Sequence, residues 1–374
     1  MTDKDLNSKN ASERYDLLLR KGFRASKIRM QPKMKALIVI FVVVCVILVL
    51  IGFGEVPHNP QTNVSQSATS TTQVNEPNFD WVVFSGNDSV AEANFNPVKL
   101  DTGFIKVGKD PVSIVDDPTG LQLYVVDELA NEISVVNLYS YATYRTLHVG
   151  SRPVFITICP KTAMAYVINQ GDNTVTPIHL LGLKIMPTFY AGPDPTSIAL
   201  NSTGTMAFIS DAGNNTVLPI DLTKTNPIAL TPIPVGADPE QVLTDSSGSS
   251  FVYVLNRASG SISVINMSLL SVTANYTLGG ELGAMTMSEG LPDAYVTDLT
   301  NNEIIPFSLL NGAIGTPIKV NFEPTAITIN LRGTYAFVIG EKSGQAAYVD
   351  LQNGSTVSNS AIGNGPVALS YMPA

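Results

Sequence analysis

Hydrophobic and polar residues alternate in a repeating pattern from about residue 79 to the C-terminal end. Short apolar runs are separated by polar turns rich in Gly, Asn and Asp. Alternation with a period of two is typical of β-strands. A helical period, which an array of helical repeats would show, does not occur in this part of the chain. The pattern therefore predicts an all-β region made of many short strands.

A proline marks the start of most repeats, and the pattern repeats every 41 to 44 residues. The marker prolines are Pro111, Pro153, Pro195, Pro239, Pro324 and Pro366. Gly283 stands at the one position where the mark is missing. An apolar residue follows three positions after each mark, and a second apolar strand then begins near an aromatic residue, as in Tyr124-Val125-Val126-Asp127. Four strands in a repeat of this length are typical of one blade of a β-propeller.

The two ends of the repeat region are incomplete in complementary ways. Residues 366–374 match only the first strand of a repeat, whereas residues 79–109 match only the other three strands. Between them lie six whole repeats. Joining the two partial units makes a seventh blade and removes two exposed sheet edges. The predicted fold class is therefore an all-β, seven-bladed β-propeller over residues 79–374.

The second strands and the turns after them carry a recurring signature. It reads Tyr295-Val296-Thr297-Asp298 in one repeat, and the turns Asn173-Thr174-Val175 and Asn215-Thr216-Val217 follow in two others. In these features residues 79–374 resemble the YVTN-type β-propeller repeat proteins, whose relatives include cell-surface proteins, surface-layer proteins and lactonase-like propellers. The resemblance implies the fold and leaves the activity open, because one fold hosts many functions.

Ahead of the repeats lies one long apolar run. Residues 36–53 read ALIVIFVVVCVILVLIGF and contain no charge and no proline. About 18 helical residues span about 27 Å, close to the hydrocarbon thickness of a bilayer. We therefore predict one uncleaved transmembrane signal-anchor helix over residues 36–54. A cleavable signal peptide is the alternative, but the basic region in front is 35 residues long and no A-x-A site follows.

Charge is divided unequally about this run. Residues 1–35 contain ten Lys or Arg and four Asp or Glu, a net charge of +6, whereas residues 36–374 contain 12 and 27, a net charge of −15. The basic segment 1–35 predicts a cytoplasmic tail, which places the propeller outside the plasma membrane. Residues 55–78, rich in Pro, Asn, Gln, Ser and Thr, predict a flexible linker. The acidic body excludes nucleic acid as a partner, because phosphate binding requires a basic surface.

Carboxylates predominate in the loops predicted to share one face of the propeller. The candidate ligand-binding residues before the innermost strands are Asp110, Arg152, Asp194, Asp238, Glu240, Glu281 and Glu323. Those between the second and third strands are Asp127, Asp211 and Asp298. An acidic rim of this kind suits a divalent cation held by oxygen ligands, or a cationic ligand. The alternative is that these are ordinary turn residues, since Asp and Asn bond their own backbone in turns.

Histidine and cysteine, the residues most often used for catalysis and for binding transition metals, are few in this sequence. His58, His148 and His179 fall at different positions of the repeat, and Cys45 and Cys159 form no CxxC motif. No catalytic residue is predicted, and the only cofactor that the pattern suggests is the divalent cation. Candidate N-glycosylation sites, recognised by the Asn-x-Ser/Thr motif, are Asn63, Asn87, Asn201, Asn214, Asn266, Asn275 and Asn353.

Two functions fit these features. The first is a membrane-anchored, extracytoplasmic propeller that acts as a binding or scaffolding module at the cell surface. Its partner would be a cell-envelope protein, a glycan or a small-molecule ligand. The second is a lactonase-like or other hydrolytic enzyme that uses the carboxylate-rich face, with a divalent metal. The scarcity of histidine and the scatter of titratable groups favour the first.

Overall fold

A computed structural model describes residues 79–100, 103–159, 161–244, 250–287 and 292–370, all within the unit Gln73–Ala374. The predicted cytoplasmic tail (1–35), anchor (36–54) and linker (55–78) lie outside the described residues. Within the described ranges, no helix is long and apolar enough to cross a membrane.

The described residues form 31 strands in seven sheets. The first four strands are β1 (Phe79–Phe84), β2 (Ser89–Phe95), β3 (Val98–Leu100) and β4 (Ile105–Lys106). Blade 1 comprises β5 (Pro111–Asp116), β6 (Gln122–Asp127), β7 (Glu132–Asn137) and β8 (Ala142–His148). Blade 2 comprises β9 (Pro153–Cys159), β10 (Met164–Asn169), β11 (Thr174–His179), β12 (Lys184–Ile185) and β13 (Phe189–Tyr190). Blade 3 comprises β14 (Pro195–Leu200), β15 (Met206–Asp211), β16 (Thr216–Asp221), β17 (Ile228–Ala229) and β18 (Ile233–Pro234).

The later blades follow the same order. Blade 4 comprises β19 (Pro239–Thr244), β20 (Phe251–Asn256), β21 (Ser261–Asn266) and β22 (Ser271–Thr277). Blade 5 comprises β23 (Leu282–Met287), β24 (Asp293–Asp298), β25 (Glu303–Ser308) and β26 (Ile318–Lys319). Blade 6 comprises β27 (Ala326–Ile329), β28 (Tyr335–Gly340), β29 (Gln345–Asp350) and β30 (Ser355–Ala361), and the last strand is β31 (Pro366–Ser370). Short 3₁₀ turns occupy Ser85–Asn87 and Gln170–Asp172.

The sheets form a closed ring of seven blades, which confirms the predicted all-β seven-bladed propeller. In each blade neighbouring strands are antiparallel, and in blades 1 to 6 they run outward in chain order. The innermost strands of adjacent blades contact one another all the way round. Blade 7 is built from both ends of the repeat region, with strand order β3-β2-β1-β31. Within it, Trp81 lies opposite Ser370 and Val83 lies opposite Ala368. The last strand therefore joins the first and closes the ring.

The hydrophobic core lies between the blades and consists, among the described residues, of one buried cluster for each pair of neighbours. The second strand of a blade serves two clusters at once. In β6, Tyr124 and Val126 pack towards blade 2, whereas Leu123 and Val125 pack towards blade 7. Successive side chains of a strand point to opposite faces, and in a propeller both faces are covered. This explains why the second strands are apolar almost throughout.

The outermost strands differ from blade to blade, and in blades 2 and 3 a proline lies at the point where the strand is interrupted. Blades 1, 4 and 6 have continuous seven-residue outer strands without proline. In blades 2 and 3 the outer strand is broken into two short pieces, with Pro187 in one gap and Pro232 in the other. Proline has no N–H to give to a ladder and so interrupts pairing. The predicted fourth strand of every blade is thus present, but in blades 2, 3 and 7 it is divided into two pieces.

Candidate functional site

The loops before the innermost strands and the turns between second and third strands lie side by side, and together they are called the loop face here. Backbone hydrogen bonds join the two sets within each blade. The N–H of Glu128 donates to the carbonyl oxygen of Asp110 at 2.9 Å, and that of Arg257 donates to Asp238 at 2.8 Å. The two predicted loop sets therefore lie next to each other on one face of the propeller.

A second set of bonds runs between blades on the loop face. A turn side chain of one blade accepts a hydrogen bond from the backbone N–H that precedes the innermost strand of the next blade. The acceptor and donor residues are Asp88 and Asp110 (3.0 Å), Asn131 and Arg152 (2.8 Å), Asn173 and Asp194 (3.2 Å), and Asn215 and Asp238 (2.8 Å). All eight residues have a left-handed backbone, with φ between 48° and 57°, which Asp and Asn tolerate better than other residues. Four of the predicted site residues thus connect blades through their backbone.

The predicted residues Asp127, Asp211 and Asp298 end the second strands of their blades and are at most 2% exposed. Asp127 accepts a hydrogen bond from the Ser134 hydroxyl at 2.7 Å. A Cβ atom at Gly108 would lie 2.6 Å from Asp127 Cγ, and one at Gly280 would lie 2.3 Å from Asp298 Oδ2. Real Cβ atoms do not approach so closely, and glycine is therefore required where the fourth strand of each of these units ends.

Burial changes the acidity of these strand-end groups. It raises the pKa of Asp127 to about 7, although the hydrogen bond from Ser134 acts in the opposite direction. Burial also raises the pKa of Asp211. In blade 2 the equivalent residue is Asn169, whose Oδ1 accepts from the N–H of Gly150 at 3.1 Å and whose Nδ2 donates to Thr176 at 2.8 Å. The strand-end position thus has a structural role in the blade, whether it is occupied by Asp or by Asn.

Three of the predicted residues, Arg152, Glu281 and Glu323, form ion pairs on the loop face. Each pair joins a loop before an innermost strand to a turn between second and third strands. The closest approaches are Arg152 Nε to Glu128 Oε1 (3.1 Å), Arg257 Nε to Glu281 Oε1 (2.9 Å) and Lys342 Nζ to Glu323 Oε1 (2.8 Å). Such exposed pairs contribute little to stability, because water screens the charges. Their main consequence is that Arg152, Glu281 and Glu323 already have partners of opposite charge.

A cavity of about 410 Å³ lies inside the ring at the loop face and is lined by the innermost strands of all seven blades. Its volume falls within the range usual for small-molecule sites. The polar residues that line it are Ser113, Glu128, Arg152, Gln170, Thr196, Ser197, Glu240, Gln241 and Thr325. Apolar lining comes from Val154, Phe155, Met285 and Val367, among others. Of the ten predicted site residues, the structure brings Arg152 and Glu240 to this cavity.

Glu240 differs from the other predicted acids. It is half-buried in β19, and its carboxyl accepts no hydrogen bond from the described part of the chain. Burial raises its pKa; the nearby Arg257 opposes this effect, while Asp238 and Asp194 add to it. The guanidinium of Arg257 is hydrogen-bonded to Glu281 instead. Glu240 therefore lines the cavity and carries a carboxyl group that no described residue hydrogen-bonds.

Several lining residues were not among the predicted site residues. Gln170 accepts a hydrogen bond from Arg152 Nη2 at 3.2 Å, and Gln241 accepts one from the N–H of Met285 at 2.8 Å. Both are neutral and lie next to more conspicuous residues, Asn169 and Glu240. Repeat position is the signal that finds them, because Gln241 comes two residues after the marker proline and Gln170 follows the end of a second strand.

A metal site is not formed in the described ranges, where no three His, Cys, Asp or Glu side chains converge closely enough to hold an ion. The described histidines lie away from the cavity. His148 pairs with Glu132 at 3.0 Å on the outer strands of blade 1, and His179 Nδ1 lies 3.1 Å from the Leu181 carbonyl oxygen. The predicted divalent cation therefore has no ligand set among these residues.

The predicted glycosylation sites differ in how available their amides are. Asn63 lies outside the described residues. The amide nitrogens of Asn201, Asn214 and Asn353 already donate to Thr205, Asp211 and Asp350. Asn87 accepts a hydrogen bond from Ser89, and Asn266 accepts backbone bonds in its turn. Asn275 lies exposed in the outer strand β22.

Comparison with known proteins adds fold information. No family model matches the chain, and no curated protein matches it. Solved structures do. A protein from Lactobacillus plantarum is 13% identical with a TM-score of 0.67, over 79% of this chain and 99% of that one. A candidate 6-phosphogluconolactonase from Bacteroides fragilis is 15% identical with a TM-score of 0.65, over 81% and 99%. Kuenenia stuttgartiensis hydrazine synthase is 15% identical with a TM-score of 0.64, over 71% and 91%.

These likenesses concern architecture only. Two of these solved structures carry names of different activities, although their similarity to this chain is nearly equal. One fold can therefore host many functions. The chain is therefore an all-β seven-bladed propeller with structural neighbours that include lactonase-like proteins, and its activity has to be argued from its own site.

Proposed function

We propose that this protein is a binding module at the cell surface, a propeller that takes a ligand into its central cavity while a single N-terminal helix holds it at the membrane. The observation that carries the proposal is the cavity of about 410 Å³ with one unbonded carboxyl group, Glu240, in its wall. Concave sites with an apolar lining and a few polar groups are typical of small-ligand binding.

Hydrolysis requires more than a single carboxyl group. A nucleophile and a general base within hydrogen-bond reach of each other, or an activated water on a metal, are the usual minimum. Among the described lining residues there is no His and no Cys, and the other carboxylate, Glu128, is paired with Arg152. This composition supports binding more directly than catalysis.

A lactonase-like hydrolase is the second candidate, and the fold likeness to the Bacteroides fragilis protein favours it. A phosphorylated substrate, however, carries about two negative charges, and these charges need basic partners. Arg152 is the basic side chain among the described lining residues, and Glu128 and Gln170 already engage it. If the protein hydrolyses a lactone, we expect an uncharged one.

The membrane attachment and the outer location rest on the sequence. The apolar run 36–53, the +6 charge of residues 1–35 and the Asn-x-Ser/Thr motifs support an anchor with the propeller outside. Partners in that location would be cell-envelope proteins, glycans or small molecules. Protease treatment of intact cells tests this part, since we expect the propeller to be shaved off while the basic tail stays protected. Protection of the propeller would contradict the orientation.

The cavity is tested by filling it. Ala284 lies in β23 and lines the cavity, and its backbone N–H bond to Thr297 does not depend on its side chain. We expect Ala284→Phe to abolish ligand binding, and Ala142→Phe, the same change on the exposed outer strand of blade 1, to leave it intact. The measurement is saturation-transfer NMR on the full-length chain in nanodiscs. The probes are n-pentylammonium, pentanoate, 1-pentanol, glucose and δ-valerolactone, with empty nanodiscs as the blank.

The proposal is contradicted if every probe that binds the wild-type protein also binds Ala284→Phe. If Ala284→Phe melts more than about 5 °C below the wild type, Ala368→Leu is used in its place. Ala368 lines the cavity from β31, and a leucine there would fill it. The same panel tests the alternative. Turnover of δ-valerolactone that is lost in both Ala284→Phe and Glu240→Gln would show a hydrolase.

A further inference from the structure

Charged groups are distributed unevenly around the cavity mouth. On the side of blades 1 and 2, the charges of Arg152 and Glu128 compensate each other. On the side of blades 3 to 5, three carboxylates act on the guanidinium of Arg257, and a fourth, that of Asp194, acts on Glu240. These carboxylates belong to Asp194, Asp238, Glu240 and Glu281. This second side, the acidic side of the cavity, therefore has an excess of negative charge.

Arg257 does not neutralise that excess at the cavity wall. Its Nε is 2.9 Å from Glu281 Oε1, and Glu281 precedes the innermost strand of the next blade. Arg257 thus connects blade 4 to blade 5, while Glu240 has no hydrogen-bonded partner among the described residues. A half-buried carboxylate without a partner is costly, and its neutralisation by a bound cation would be favourable.

The rest of the lining suits the body of such a ligand. Val154 and Phe155 from β9, Met285 from β23 and Val367 from β31 contribute apolar surface to the same cavity. A short hydrocarbon chain buried there is stabilised because its apolar surface is removed from water. An inorganic ion would leave this surface without a partner, and a sugar would offer it little apolar area.

We propose that the cavity binds a small organic cation, with an ammonium group against the Glu240 carboxylate and a short apolar chain on the lining of the innermost strands. This inference rests on the proposed binding function and names its ligand class. The ammonium group donates hydrogen bonds that the carboxylate accepts. The remaining carboxylates of the acidic side attract the cation to the mouth without touching it.

Binding of this kind depends on the protonation of Glu240. Burial raises the pKa of its carboxyl above the ordinary value, so the neutral form persists to higher pH than in an exposed glutamate. Only the ionised form pairs with a cation. Affinity for an ammonium ligand should therefore rise as pH rises through the titration of Glu240, and fall as pH is lowered.

The test uses n-pentylammonium as the probe, with 1-pentanol and pentanoate as matched neutral and anionic probes. Binding to the full-length chain in nanodiscs is measured by isothermal titration at pH 8 and pH 5. We expect n-pentylammonium to bind at least tenfold more tightly than either matched probe at pH 8, and to weaken at pH 5. Glu240→Gln should weaken it at least tenfold and remove the pH dependence.

Glu341→Gln is the matched control, because it removes the same charge from an exposed position on the loop face outside the cavity. We expect less than a twofold effect at about 150 mM salt, where exposed charges are screened. Equal effects of the two substitutions, or tighter binding of pentanoate or 1-pentanol, would overturn the inference. If one of those two probes binds and Ala284→Phe abolishes its binding, the cavity remains a ligand site of another class and the proposed function stands. No binding of n-pentylammonium, or binding that survives Ala284→Phe, would also overturn the inference.

Discussion

Two carboxyl groups near the loop face, those of Asp127 and Glu240, differ in what surrounds them. Asp127 ends a second strand, is fully buried and accepts a hydrogen bond from Ser134. Glu240 begins an innermost strand, is half-buried and accepts no hydrogen bond from the described residues. Burial raises the pKa of both. The comparison separates an acid that completes the blade from an acid that is left available to a ligand.

The difference follows from position in the repeat. The strand-end residue lies beneath the glycine that ends the fourth strand, where there is room for a short polar side chain and no room for a ligand. The residue after the marker proline instead reaches the ring interior, which the seven innermost strands leave open. Residue type alone does not distinguish the two, because both positions accept acids.

The largest expected effect comes from removing β31, the strand on which both the blade closure and the cavity depend. β31 pairs with β1 and also lines the cavity. Deleting residues 366–374 leaves the inner edge of β1 without its partner, and we expect a loss of more than about 5 kcal/mol, enough to unfold an ordinary domain. Thermal unfolding followed by circular dichroism measures it. Truncation after Ser370 is the control, because it keeps β31, and similar melting of both truncations would contradict the closure.

Most of the architecture, and less of the site, could be predicted from the sequence. The spacing of Pro111, Pro153 and their equivalents indicates the blades because each blade repeats the same burial pattern. The breaks at Pro187 and Pro232 could also have been anticipated, since proline cannot extend a ladder. The sequence does not predict which loop-face acids are paired with a basic residue and which are not. Whether Glu281 or Glu240 pairs with Arg257 depends on side-chain reach in three dimensions, and nothing in the repeat alignment encodes it.

A smaller effect is expected from replacing the buried Asp127 by asparagine. Asn256 occupies the same position in blade 4 and donates to Ser263 at 3.0 Å, so an amide fits there. A buried carboxyl with a pKa near 7 favours folding while it is protonated, and this advantage is lost as pH rises from about 4 to about 7. We expect Asp127→Asn to match the wild type at pH 4 and to exceed its free energy of unfolding by roughly 2 to 4 kcal/mol at pH 8.

Denaturant unfolding at the two pH values measures this change. Glu341→Gln, the same acid-to-amide change at an exposed residue, should alter the free energy of unfolding by less than about 0.5 kcal/mol at either pH. An Asp127→Asn variant that is less stable than the wild type at pH 8 would show that the carboxylate itself, and not merely a hydrogen-bonding group, is needed in the blade.

The availability of Glu240 is tested most directly by its own titration. The carboxyl carbon of Glu240, assigned by comparison with Glu240→Gln, is followed by ¹³C NMR from pH 3 to pH 9 with and without saturating n-pentylammonium. Alone, it should titrate above the ordinary glutamate value of 4.5, because burial disfavours its charged form. With the cation bound beside it, the midpoint should move to lower pH. A midpoint that n-pentylammonium leaves unchanged would contradict a cation site at this residue.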